Sequence, residues 1–150
     1  HLIADVHQPL HTSAMFSRKR WPRGDRGGNE VKIAGTGKRR GKKRRLDSLH
    51  YFWDSAISNR RRPSEIYALK AVLEEQQIPE VSEQDAQPLE WIREGHALAR
   101  KSVYGPLLTQ LVTSPVVNIT TDYTQQAHAA SLRQAAVAAR RTAIWLELAF

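Results

Sequence analysis

No long helix or strand can run through residues 12–47. Trp21-Pro22, Gly24, Gly27-Gly28, Gly35 and Gly37 punctuate that stretch too closely for a regular element, because proline lacks a backbone donor and glycine favours turns. One short strand is expected at Glu30-Val31-Lys32-Ile33, where polar and apolar residues alternate. Residues 38–45, KRRGKKRR, form a dense positive run that repels itself. A solvated, mobile loop is the expectation there, with a nuclear signal or a nucleic-acid arm as the sharper readings. The segment as a whole is expected to be a long loop or a short hairpin.

On both sides of this excursion the chain reads as helix. HLIADVHQ suits a helix that Pro9 ends or kinks. Asp47 or Ser48 can cap a helix running through Trp53 towards Ile57, and Arg60-Arg61-Arg62-Pro63 breaks it. Pro63-Ser64-Glu65 opens another, with Ile66, Leu69, Ala71, Val72 and Leu73 as its expected buried side, and Ile78-Pro79 ends it. Ser82, with Asp85 three residues on, caps a third helix carrying Leu89, Ile92, His96, Leu98 and Ala99, which Gly105-Pro106 should stop. LLTQLV at 107–112 is at most a helical turn. The last helix begins near Thr121 or Asp122, with Ala127, Ala130, Leu132, Ala136, Ala139, Ala143, Leu146 and Ala149 as a small-residue face. The fold class read from this pattern is mainly α, in a single domain covering 1–150.

Composition narrows the chemistry. The chain has no cysteine, so disulfides and thiolate metal sites are excluded and any zinc must take nitrogen and oxygen ligands. No run is long and apolar enough to span a bilayer, so no stable membrane insertion is expected, and no secretory signal is visible in these residues. The net charge of +8 is uneven: residues 1–62 hold 16 Lys/Arg against 5 Asp/Glu, and residues 63–150 hold 7 against 10. A basic half joined to a mildly acidic half suggests an anionic partner, nucleic acid being the common case, although an arginine-rich solvated loop explains the excess equally well.

Histidine and aspartate are placed with more order. His1 and Asp5 are four residues apart, and so are His50 and Asp54. On a helix such pairs lie ~40° apart around the axis and face one way. An imidazole and a carboxylate on adjacent turns can chelate one metal ion, and zinc accepts both at ~2.0–2.2 Å. On spacing alone, two such residues can equally well just hydrogen-bond to each other. His11, directly after the helix-breaking Pro9, adds a fifth donor.

These residues carry a family resemblance. His1-Leu2-Ile3-Ala4-Asp5-Val6-His7-Gln8-Pro9-Leu10-His11 resembles the H-x-x-x-D-x-x-Q-P-L-H segment of the S1/P1 nuclease family. Asp25-Arg26-Gly27-Gly28-Asn29 resembles its D-x-G-G-N loop, and Leu49-His50-Tyr51-Phe52-Trp53-Asp54 its N-L-H-x-x-W-D motif, in the same order along the chain. Weaker echoes lie at Trp91 to Glu94 and at Ala138-Ala139-Arg140-Arg141-Thr142-Ala143, which is similar to a closing A-G-x-R-L-A helix with Ala139 in place of the glycine.

The resemblance implies a helical fold shared with zinc-dependent phospholipase C, three zinc ions in a cleft, and hydrolysis of phosphodiester bonds in single-stranded DNA and RNA to 5′-phosphate products. It implies that His1 and Asp5 are ligands of a paired zinc site, Asp5 bridging two metals and so carrying the catalytic role. His11, His50 and Asp54 match the full protein ligand set of the remaining zinc, and Asn29 matches a residue of the nucleobase pocket. The zinc chemistry would be Lewis-acid activation of water against phosphorus, and Gly27-Gly28 would let backbone approach the substrate. His1 matches an interior ligand, so the chain is expected to be the C-terminal part of the family's domain, truncated at its N-terminus. One complete set of protein ligands is then expected here, in a secreted or periplasmic monomer. His7 is expected to support its neighbours rather than bind metal, His96 and His128 to pack or face solvent, Trp53 to anchor the core, and Tyr51 or Phe52 to pack or to stack a base. A non-catalytic nucleic-acid-binding relic and a phospholipase C-like phosphodiesterase are the competing readings.

Overall fold

The structure is a computed structural model, and it describes residues 1–34, 47–57, 63–76, 78 and 87–150. The basic run at 38–45, the arginines at 60–62, Pro79 and the Ser82/Asp85 cap lie outside the described residues. The chain is mainly helical. Helix α1 spans Leu2–Val6 and is followed by a 3₁₀ turn at Pro9–His11; α2 spans Leu49–Asp54, α3 Pro63–Glu74, α4 Pro88–Leu98, α5 Leu108–Thr113 and α6 Thr121–Ala149. Three short strands, β1 at Lys32–Ala34, β2 at Asp47–Ser48 and β3 at Val117–Asn118, form one sheet in the order β2-β1-β3. The expected hairpin is the antiparallel β1–β2 pair, with Lys32 opposite Ser48 and Ile33 opposite Asp47. β3 adds a parallel pairing on the other side, Ile33 opposite Val117, which local patterning did not suggest.

Two helix starts, those of α2 and α6, follow the capping chemistry. The side chain of Ser48 accepts from Tyr51 N–H, and that of Thr120 from Tyr123 N–H. Two expected apolar faces are corrected. Of the expected apolar residues on α3 only Leu69 and Leu73 are half-buried, on a helix that packs against α6, and Ile66, Ala71 and Val72 are exposed. The helix docks along one narrow seam, so a single i,i+4 pair suffices. On α4, Leu89, Ile92 and His96 face solvent, and the buried line is Trp91, Gly95, Ala99 and Val103. Gly95 is required on that line, since a Cβ there would sit 2.5 Å from Thr12 Oγ1. The far end of the α6 face also differs: Ala127, Leu132 and Ala136 are buried, whereas Ala139, Ala143, Leu146 and Ala149 are exposed.

Gly105-Pro106 does not stop the helical path. After Leu98 the backbone widens into a π turn at Ala99–Tyr104, tightens to 3₁₀ at Gly105–Leu107 and continues into α5. A proline inside a regular α-helix would crowd the carbonyl four residues back; a wide turn just before it changes that register. The glycine is needed for the same bend, because a Cβ at 105 would lie 2.8 Å from Arg100 O.

One core joins these pieces: Leu10, Val31, Ile33, Leu49, Trp53, Val103, Tyr104, Leu111, Val117 and Tyr123 are among its members. Trp53 is 2% exposed and donates through Nε1 to Tyr123 Oη at 3.0 Å, as suits a buried indole. Phe52 packs against the same tyrosine, at 5.7 Å between centroids, while Tyr51 is exposed.

A second buried cluster ties α1 to α4 and α6. Arg141 forks onto both carboxylate oxygens of Glu94, at 2.7 and 2.9 Å, and its guanidinium also reaches His7 Nε2 at 2.9 Å. Its Cζ lies 5.4 Å from the Trp91 ring centre. His7 Nδ1 donates to Ile3 O at 2.6 Å, so Nε2 must be the unprotonated acceptor and the ring neutral. Burial holds the His7 pKa below its ordinary value of 6.5, and the Arg141 charge adds to the effect. The unfolded chain therefore binds the proton more readily than the fold does, and stability falls as pH drops below 6.5. The unfolding midpoint should decline on acidification through that window, and His7→Gln, which cannot take a proton, should remove part of the slope. An unchanged slope in the variant would assign the acid sensitivity to other groups.

Candidate metal centre

Helix α2 interleaves two pairs spaced four residues apart. Leu49 and Trp53 point inward, 0% and 2% exposed. His50 and Asp54, one position later, lie ~100° round the helix and face out. The same six residues therefore anchor the helix and present donors from it. The third donor comes from the 3₁₀ turn. Gln8 caps that turn by accepting from Leu10 N–H, and Pro9 occupies its first position, where a missing N–H costs nothing. His11 ends it.

Donor atoms of His11, His50 and Asp54 all lie within 4.8 Å of one another. His11 Nε2 is 3.5 Å from Asp54 Oδ1, and His50 Nε2 is 3.5 Å from Asp54 Oδ2. A tetrahedral ion with ligands at ~2.0–2.1 Å needs donors separated by ~3.4 Å, so these spacings suit zinc. Both imidazoles are set in the tautomer that ligation requires. His50 Nδ1 donates to Gly27 O at 2.8 Å, and His11 Nδ1 to Asp5 O at 3.0 Å. Carbonyls only accept, so each Nδ1 carries a proton, which leaves each Nε2 as the nitrogen that could bind a metal. The two rings stack with centroids 5.1 Å apart. Gln8 Nε2 donates to Asp54 Oδ1 at 2.8 Å and so holds the carboxylate in place. Three protein donors, with His11 and Asp54 exposed, fall one short of the ~4 that closed structural zinc sites use.

The other two predicted ligands stand apart from this trio. Asp5 is next to it, its Oδ1 3.0 Å from His11 Nδ1, and lines the same cleft. His1 is exposed at the start of α1, one turn before Asp5. Asn29 is exposed, and its Nδ2 donates to Arg26 O at 2.9 Å, closing the 25–29 loop. Of the remaining histidines, His96 is exposed and His128 is exposed with its Nδ1 donating to Ala56 O.

Supports that the spacing did not reveal lie in the 25–28 loop. Asp25 is fully buried, accepting from Tyr104 Oη at 2.8 Å and from Met15 N–H at 2.9 Å. Burial, together with the Asp25 charge, pushes the Tyr104 hydroxyl well above its ordinary range, so it stays protonated and donates. The glycines that follow are closely packed. Both are buried; a Cβ on Gly27 would lie 2.4 Å from Leu10 O, and one on Gly28 would lie 3.2 Å from His50 N. Both have positive φ, +61° and +81°. Gln8 carried a local signal, an acceptor directly before a proline that opens a turn. Asp25 carried none, since Tyr104 is far away in sequence. Gly27→Ala should cost about 2–3 kcal/mol of stability from the backbone clash and the strained φ, measured by denaturant unfolding. A loss under about 0.5 kcal/mol would show that the loop can move off Leu10 without penalty.

Comparison with known proteins bears on the whole chain. A family model described as S1/P1 Nuclease matches residues 1–150. No curated protein matches it significantly. With the match running from the first residue to the last, the chain belongs to the S1/P1 nuclease family.

Proposed function

We propose that the cleft at His11, His50 and Asp54 holds zinc and serves hydrolysis of phosphodiester bonds in single-stranded DNA or RNA. The observation carrying this reading is the convergence of three donors whose tautomers and carboxylate are already fixed by Asp5 O, Gly27 O and Gln8. When bound, zinc supplies Lewis acidity for the attack of water on phosphorus and charge to offset that of the transition state. The protein's own part is to hold donors without reorganisation and to leave the cleft open to a strand. Asp5 and His1 would add donors for a neighbouring ion, Asp5 as the bridge between two. Asn29, exposed at the end of its loop, is the proposed nucleobase contact.

Nucleic acid as substrate is favoured by charge. Arg18, Lys19, Arg23, Arg26 and Lys32 are all exposed on the segment that leads into and out of the site, and such residues add salt-sensitive phosphate attraction. Among the described residues no helix is long and apolar enough to cross a membrane. A secreted or periplasmic monomer that meets nucleic acid in solution fits this reading.

Two measurements test it. Zinc titration should give a saturable site, and His50→Ala should weaken it more than about 100-fold, beyond the effect of losing a supporting residue. Cleavage of a single-stranded oligonucleotide should stop on chelation and return with zinc, with a matched duplex and phosphatidylcholine as poorer substrates. Chelator-resistant cleavage, or zinc affinity indifferent to His50→Ala, would sink the proposal.

A further inference from the structure

Arg26 is the only non-glycine residue with positive φ among the described residues, at +56°. That conformation crowds the Cβ of any L residue, and the next two positions, which also have positive φ, are both glycine. The turn itself does not require arginine. What closes the loop is the Arg26 carbonyl, which accepts from Asn29 N–H and Nδ2 and which any residue could provide. Glycine at 26 would supply the same carbonyl without strain, so the strained position keeps a side chain that the fold does not use.

That side chain is exposed and lines the cleft with Asp5, His11 and His50. No carboxylate pairs with it among the described residues. Its backbone is fixed on both sides, by buried Asp25 before it and by Gly27, whose carbonyl holds His50, after it. The root of the guanidinium is thus tied to a metal donor through one residue. A planar fork of donors matches the two non-bridging oxygens of a phosphate.

We propose that Arg26 is a phosphate-binding residue of this cleft, gripping a phosphate of the strand beside the one presented to the metal donors. This rests on the reading of the cleft as a nucleic-acid site. It assigns a binding role to the variable position of the D-x-G-G-N loop.

The test uses the whole chain with Arg26→Gly and Arg26→Lys. The probe is a fluorescein-labelled single-stranded DNA oligonucleotide, followed by anisotropy in chelator so that none is cut. Arg26→Gly should fold with an equal or higher melting temperature, since strain is relieved, and should bind zinc as the parent does. Its oligonucleotide affinity should fall about tenfold, and the slope of log K against log salt should flatten by about 0.7. Arg26→Lys should keep the slope and recover part of the affinity. Equal affinity and slope in parent and Arg26→Gly overturn the proposal alone. Loss of zinc binding in Arg26→Gly also overturns it, by showing that the side chain holds the loop. A parent that binds no oligonucleotide overturns both the proposal and the nucleic-acid reading.

Discussion

A carboxylate with no access to solvent sets the frame for the site. Asp25 is 0% exposed, and burying such a group is tolerable only when its oxygens are hydrogen-bonded. Tyr104 Oη and Met15 N–H meet that need from two different parts of the chain. The backbone of Asp25 is engaged too, its N–H donating to Met15 O and its carbonyl accepting from Glu30 N–H. A loop rich in glycine would otherwise have many conformations to lose on folding. Pinned at this aspartate, it delivers the Gly27 carbonyl to His50 and the Gly28 carbonyl to both Val31 and His50 N–H. The histidine ring, the start of α2 and the approach to β1 are placed by one buried anion.

The remaining donors are placed by equally short linkages. Gln8 spans from the cap of the 3₁₀ turn to Asp54, so the residue that shapes the His11 turn also aims the carboxylate opposite it. Asp5 gives its backbone carbonyl to His11. Helix α1 is too short to hold itself by its own hydrogen bonds, and the Arg141 clasp on His7 supplies the tertiary support. Each donor of the trio therefore has a partner that is itself anchored, which is what a site needs if it is to bind without reorganising.

Much of this was legible along the chain, and the illegible part has a common cause. The i,i+4 pair on α2 and the histidine after Pro9 are local, so spacing raised them as possible donors and the family resemblance grouped them as one ligand set. The cap at Ser48 and the seam on α6 near Ala127 and Ala136 followed from equally local rules. What could not be read depends on distant partners. Asp25 meets Tyr104 across 79 residues, and His7 meets Arg141 across 134. The faces of α3 and α4 were misjudged because apolar content does not say which side finds a neighbour; Gly95 and Trp91 won over Leu89 and Ile92 through Thr12 and Arg141. The two faint echoes of the family, at Trp91 to Glu94 and at Arg141, prove to be halves of one buried cluster.

The wide turn at Ala99–Tyr104 governs how this chain can change length over time. Removing one residue from the π turn would restore ordinary pitch and rotate everything beyond it by ~100°. Tyr104 would then swing off Asp25, and the loop that carries Gly27 would lose its anchor. Insertions and deletions in descendants of this sequence should therefore spare the turn, although it contributes no metal donor.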